Sequence, residues 1–128
     1  MYYEEKRYLN NKHFDNMLSK NLLDSKNFTK KRLSSKAMQY SNDDMLVIIY
    51  VNTAVFKGRK STNEYILNTD SYETVTSKKW INYGIDTFTN QSYPNRQFIR
   101  QANFTWYLID ELNKLTVPFQ DNMIIKAI

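Results

Sequence analysis

Apolar side chains fall at helical spacing near the start of the chain. Phe14, Met17, Leu18 and Leu22 stand at i, i+3, i+4 and i+8, which predicts a helix over about 12–23. A second stripe of Leu33, Ala37 and Tyr40 predicts a helix over about 29–40, with Lys30, Arg32 and Lys36 turned to solvent or to a partner. Asp43-Asp44 punctuate the pattern. Met45 to Val51 is then an unbroken apolar, β-branched run and reads as a central strand. Thr53 to Phe56 continues or bends it, and Gly58 is the expected turn. Glu64-Tyr-Ile-Leu67 returns as the partner strand of a hairpin over about 45–67. Asn68-Thr-Asp70 closes that unit.

Helical spacing then resumes. Thr76-Ser77 can cap a helix over about 77–88 whose inner stripe is Ile81, Ile85 and Phe88. Pro94 suits a first helical position. It opens the strongest periodic signal in the chain: Phe98, Ala102, Thr105, Ile109 and Leu112 at spacings of 4, 3, 4 and 3, flanked by Leu108 and Leu115. Val117-Pro118 ends that helix, and Met123-Ile-Ile125 docks back as a short strand or a helix cover. The expected fold class is α+β, a small antiparallel sheet (the 45–67 hairpin) packed with N-terminal and C-terminal helices. With no repeat and no Gly/Ser/Pro-rich linker, residues 1–128 read as one domain: a basic helical N-terminal third, 1–42, and a hairpin plus helices, 43–128.

Composition removes several chemistries. The chain has no cysteine and one histidine, His13, which excludes disulfide scaffolds, thiol catalysis, cysteine zinc sites and histidine-clustered metals. Its two glycines, Gly58 and Gly84, cannot form a glycine-rich phosphate loop, so no cofactor is expected. Asp43, Asp44 and Glu64 fit a metal-dependent nuclease core poorly, because Glu64 is followed by Tyr65-Ile66 and not by the needed lysine. Asp110-Glu111 read as solvated charge on the last helix. An enzyme is therefore not expected. The longest apolar run is far short of the roughly 20 residues of a membrane span. No secretory h-region follows Met1, so a bacterial cytoplasm is the expected location.

Charge changes the picture most. Lys and Arg number 18 against 13 Asp and Glu, a net charge of +5, and residues 1–42 carry nine bases against four acids. Lys26, Lys30, Lys31, Arg32 and Lys36 lie in an acid-free stretch flanked by Phe28 and Tyr40. Such a stretch can neutralise phosphates of RNA or DNA and stack on unpaired bases. Lys57-Gly-Arg59-Lys60 is a second basic knot, expected at a hairpin tip. Arg96 and Arg100 are one turn apart at the start of the predicted last helix. The 10 Tyr, 7 Phe and 2 Trp exceed what one small core encloses. Trp80, Tyr83, Trp106 and Tyr107 lie partly off the packing stripes and are candidate anchors for a partner or for a homodimer.

The segment from Leu46 to about Phe88 comprises two strands around a turn, then Tyr72-Glu-Thr-Val-Thr-Ser-Lys78, then a helix. It resembles a family of small, largely uncharacterised proteins of phages and plasmids of AT-rich Gram-positive bacteria. Their pattern is a strand pair followed by Tyr-Ser-x-Thr-Thr-Ser-Lys/Arg-His and a helix. Tyr72, Thr76, Ser77, Lys78 and Tyr83 match; Glu73, Val75 and Lys79 depart from its Ser, first Thr and His. The resemblance implies a mobile-element origin and no known chemistry. Composition agrees: Phe, Tyr, Met, Ile, Asn and Lys, with AT-rich codons, fill 60 positions, while Gly, Ala, Arg and Pro fill 13. The expected function is a counter-defence, anti-CRISPR-type inhibitor that docks on a host defence protein or ribonucleoprotein. The alternative is a non-enzymatic nucleic-acid-binding phage regulator.

Overall fold

The structure, a computed structural model, describes residues 27–91 and 94–128. Among them, nine strands form two antiparallel sheets against one helix. The strands are β1 (Thr29–Arg32), β2 (Ala37–Ser41), β3 (Met45–Tyr50), β4 (Thr53–Arg59), β5 (Glu64–Leu67), β6 (Gln97–Ala102), β7 (Thr105–Asp110), β8 (Leu115–Pro118) and β9 (Met123–Lys126). The helix α1 spans Val75–Thr89. The larger sheet runs β1-β2-β3-β4-β5-β9 and the smaller one β6-β7-β8. The expected sheet flanked by N-terminal and C-terminal helices is thus replaced by a mostly β architecture.

The corrections have local causes. Residues 29–40 are two strands, not a helix. The Ser34 hydroxyl accepts the Lys36 N–H at 3.2 Å, a side-chain turn that competes with helix. The apolar run of β3, buried on both faces, also needs a strand on each side. The predicted 12–23 helix lies outside the described residues. Gly58 is not a turn: it sits inside β4, and the turn falls at 60–63, where Asn63 takes φ 52°. Met45–Tyr50 and Glu64–Leu67 are strands, but β4 lies between them, reached through the two-residue turn Val51-Asn52. The predicted C-terminal helix is a hairpin of β6 and β7 around Asn103-Phe104. There Ile99, Trp106 and Leu108 alternate inward, while Phe98, Tyr107 and Ile109 alternate outward.

Helix α1 begins where its sequence can satisfy its own first donors. Thr74 Oγ1 accepts the Ser77 N–H at 3.0 Å, and Ser77 Oγ accepts the Thr74 N–H at 2.9 Å, a reciprocal capping box. The cap is two residues earlier than the expected Thr76. The helix ends at Asn90, in the left-handed region at φ 47°. Its inner face lays Ile81 and Ile85 on the larger sheet, beside Phe56 and Tyr65, all fully buried. The same core continues into the smaller sheet through Ile99, Trp106 and Leu108. On the opposite face of the larger sheet, Phe28, Met45, Val47, Ile66 and Ile124 form a second buried cluster.

Both glycines of the chain lie at the contact between helix and sheet. A Cβ on Gly84 would stand 2.5 Å from Phe56 Cγ, and one on Gly58 2.6 Å from Phe88 Cδ1. The rings of Phe56, Tyr65 and Phe88 fill the space thus left, with centroids 5.2 to 6.1 Å apart. Gly84→Ala accordingly sets two effects in opposition. Helix propensity alone favours alanine by about 1 kcal/mol, whereas forcing a methyl into a packed ring contact costs about 1–3 kcal/mol. A net loss of stability is expected, read as a lower urea midpoint; an unchanged or higher midpoint would contradict the tight contact.

Candidate functional site

The sequence nominated ten cations, and the fold sorts them. Lys26 lies outside the described residues. Lys57 is a mid-strand residue of β4, only 8% exposed, in a register row with Tyr40, Val47, Ile66 and Ile124 on the sheet face away from α1. Arg59, expected at a tip, pairs with Asp44 at 3.1 Å. Asp44 also accepts the Ser61 N–H at 2.8 Å, so this carboxylate pins the β4–β5 turn. Arg96 is not on a helix: it pairs with Glu111 at 3.1 Å, and its guanidinium carbon lies 5.0 Å from the centre of the Phe98 ring. Arg59 and Arg96 are thus ion-paired within the fold, and Lys57 is buried in a sheet face.

The remaining cations are exposed. All four residues of β1 face solvent, so Lys30, Lys31 and Arg32 stand in sequence along the edge of the larger sheet, and Lys36 is exposed in the turn that follows. Lys30 and Arg32 project from the face away from α1 and Lys31 from the other, since they pair with Tyr40, Met38 and Gln39 respectively. Alternate residues of a strand lie about 7 Å apart. The Lys30 ammonium sits 5.9 Å from the centre of the Tyr40 ring, and Arg32 Nε donates to the Ser34 carbonyl at 3.2 Å. Lys60 is exposed in the β4–β5 turn, beside a cavity of about 230 Å3 bordered by Gln39, Leu46 and Phe88. The result is a polycationic strip suited to an anionic partner.

The nominated aromatics divide differently. Trp80 and Trp106 belong to the core, at 7% and 4% exposure. Trp80 meets Tyr83 edge-on at 5.7 Å, and Trp106 meets Phe119 at 5.3 Å. Tyr83 donates its hydroxyl to Gln39 at 2.6 Å, linking α1 to β2. Tyr107 is half-buried on the outer face of the smaller sheet, directly opposite exposed Arg100 and beside the row of Phe98 and Ile109. Two exposed aromatics were not nominated as anchors: Phe104, 95% exposed, and Tyr72, 73% exposed. Asn103-Phe104 could have been found as a turn between two alternating runs.

One buried polar cluster joins the two sheets. Gln97, fully buried, accepts from the Tyr65 hydroxyl at 3.0 Å and donates to Asp110 at 3.1 Å and to the Lys126 carbonyl at 2.8 Å. Asp110, expected as solvated charge, is 2% exposed and also accepts from the Asn113 backbone at 2.9 Å. Burial, and then the charges of Asp110 and Asp86, push the Tyr65 phenol well above its ordinary value. Among the described residues no cluster of three or more His, Asp or Glu side chains converges to hold a metal ion. Among them, too, no helix is long and apolar enough to cross a membrane.

The resemblance motif sits at the start of α1: Ser77 is buried in the capping box, while Tyr72 and Thr76 are exposed. The chain matches no protein-family model, no curated protein and no solved structure.

The Tyr65 geometry sets a pH dependence. The unfolded chain releases this phenolic proton near pH 10, while the folded chain retains it to a higher value, so the unfolded state binds fewer protons and stability falls as pH rises through that window. Urea unfolding between neutral pH and about pH 11 should show a steeper alkaline loss for the native chain than for Tyr65→Phe. At neutral pH the variant should lose about 1–3 kcal/mol, because Gln97 is left without its buried donor. Parallel alkaline slopes would contradict the assignment.

Proposed function

We propose that this chain is a non-catalytic binding protein, carried by a phage or plasmid, that acts against a bacterial defence complex by docking on its nucleoprotein with β1 along exposed nucleic-acid phosphate. The observation that carries this reading is the exposure of every residue of β1, three of the four being cations, with Lys36 beside them. Phosphate contacts by such a strip release condensed counterions and bind without regard to base sequence. Tyr40, next to Lys30, offers a ring for an unpaired base. A like-charged edge also repels the same edge of another copy, so it stays free of self-pairing.

The AT-rich composition and the resemblance across Tyr72, Thr76, Ser77, Lys78 and Tyr83 support the mobile-element origin. An anti-CRISPR-type inhibitor of an RNA-guided nuclease is the concrete form of the proposal.

The purified chain would be added to a panel of reconstituted RNA-guided nucleases, following cleavage of a labelled target. Inhibition near stoichiometry is expected for one of them. The triple variant Lys31→Glu, Arg32→Glu, Lys36→Glu should weaken it by about 10- to 100-fold, as three solvated contacts of roughly 0.5–1 kcal/mol each require. Inhibition that the variant leaves intact would remove β1 from the interface. Binding to free RNA or DNA with no inhibition of any nuclease would replace the inhibitor by a nucleic-acid-binding regulator.

A further inference from the structure

Two apolar features on different elements of the fold match each other. The first is Phe104, at the tip of the β6–β7 hairpin. Its side chain is 95% exposed, so it touches almost nothing among the described residues. Its backbone is left-handed, at φ 65°, following Asn103 at φ 52°. A two-residue turn with both residues at positive φ favours glycine at this position. A phenylalanine there carries a steric conflict and a hydrated ring, with no compensating contact among the described residues.

The second is a cavity of about 320 Å3 between the β3–β4 turn and the start of α1. Tyr50, Val51, Val55 and Tyr72 give it apolar walls. Its mouth is edged by Val51 and Tyr72, at 53% and 73% exposure, and Val51 is itself held at φ 47°. A cavity of about 150 Å3 lined by aliphatic side chains already accepts a benzene ring. One wall is fixed before any ligand arrives. The Asp121 carboxylate accepts the Thr69 N–H at 2.7 Å, the Thr69 hydroxyl at 2.8 Å and the Ser71 N–H at 2.8 Å. The capping box of Thr74 and Ser77 fixes the wall beyond.

Charge complements shape. Asp70 is an exposed lining residue, Glu73 is exposed between the lining residues Tyr72 and Thr74, and Arg100 is exposed on the hairpin, about 10 Å behind the Phe104 tip. From these features we infer that the chain associates with a second copy of itself, Phe104 of one copy filling the cavity of the other and Arg100 facing Asp70 and Glu73. This contact is independent of the β1 edge and of the proposed function. Knob and socket are different surfaces, so the contact either repeats head to tail or closes reciprocally about a two-fold axis.

Sedimentation velocity of the full chain, from about 1 μM to about 1 mM, tests this. The native chain should associate as concentration rises. Phe104→Ser, which relieves the turn without touching the core, and Thr53→Trp, which fills the socket, should each remain monomeric. Mixed together they should form a heterodimer, because one still has the socket and the other the knob. Arg100→Glu should weaken association by about tenfold or more, and combining it with Asp70→Lys and Glu73→Lys should restore it. Circular dichroism of each variant separates lost contact from lost fold. A native chain that is monomeric throughout, association that survives Phe104→Ser, or a mixture of folded variants that stays monomeric would each overturn the inference.

Discussion

The side chain of Gln97 is the join on which the arrangement of the two sheets depends. Its amide meets Tyr65 on β5, Asp110 on β7 and the backbone of β9, thereby tying the larger sheet to the smaller one in a space closed to water. The strand that carries it is held at its free edge by two more amides. Gln91 exchanges both hydrogen bonds with the Gln97 backbone, at 2.6 and 2.7 Å, and Asn82 of α1 does the same with Ile99, at 3.0 and 2.7 Å. Side chains thus do for β6 what a fourth strand would do. A buried polar group left unmatched at this point is costly, so the network specifies one docking of the sheets where apolar contact alone would tolerate several.

That join frees the rest of the chain to divide its charge. Arg59 and Arg96 each settle on a carboxylate on a neighbouring strand or turn, and Lys57 is drawn into a sheet face. Lys30, Lys31 and Arg32, with Lys36, are exposed as a row at an edge that no described residue covers. Positive charge placed so carries little folding energy and suits encounter with an anionic surface. The hairpin beyond Gln97 presents apolar Phe104 at its tip. The two surfaces have different chemistries and suit different partners.

Strands β3 and β5 of the larger sheet and the inner face of α1 were legible, because there local pattern and environment agree. Met45–Tyr50 is apolar at every position because both its faces are buried, and Ile81 and Ile85 mark the inner face of α1 directly. The reading went wrong where one pattern fits two periods. Phe98, Ala102, Thr105, Ile109 and Leu112 sit at helical spacing, yet the same stretch alternates in and out across a two-residue turn that lacks glycine. Gly58 looked like punctuation because its reason, the ring of Phe88, lies 30 positions away on another element. Gln97 could not be read at all, since its three partners stand 13 to 32 positions distant in the chain. The basic stretch 30–36 was visible as charge, but the placement of Lys30, Lys31 and Arg32 on an edge strand depended on β1 pairing with β2, the strand that flanks β3. Trp80 and Trp106 were nominated as surface anchors because they lie off the packing stripes of two predicted helices, yet both are buried and the second helix does not exist.

The most direct measurement of the central claim is the salt dependence of binding to a single-stranded RNA homopolymer. Three to four phosphate contacts along β1 should make log K fall with log salt at a slope of about −2 to −3. Binding whose slope is near zero, or no binding even at low salt, would show that the exposed cations of β1 do not dock on phosphate.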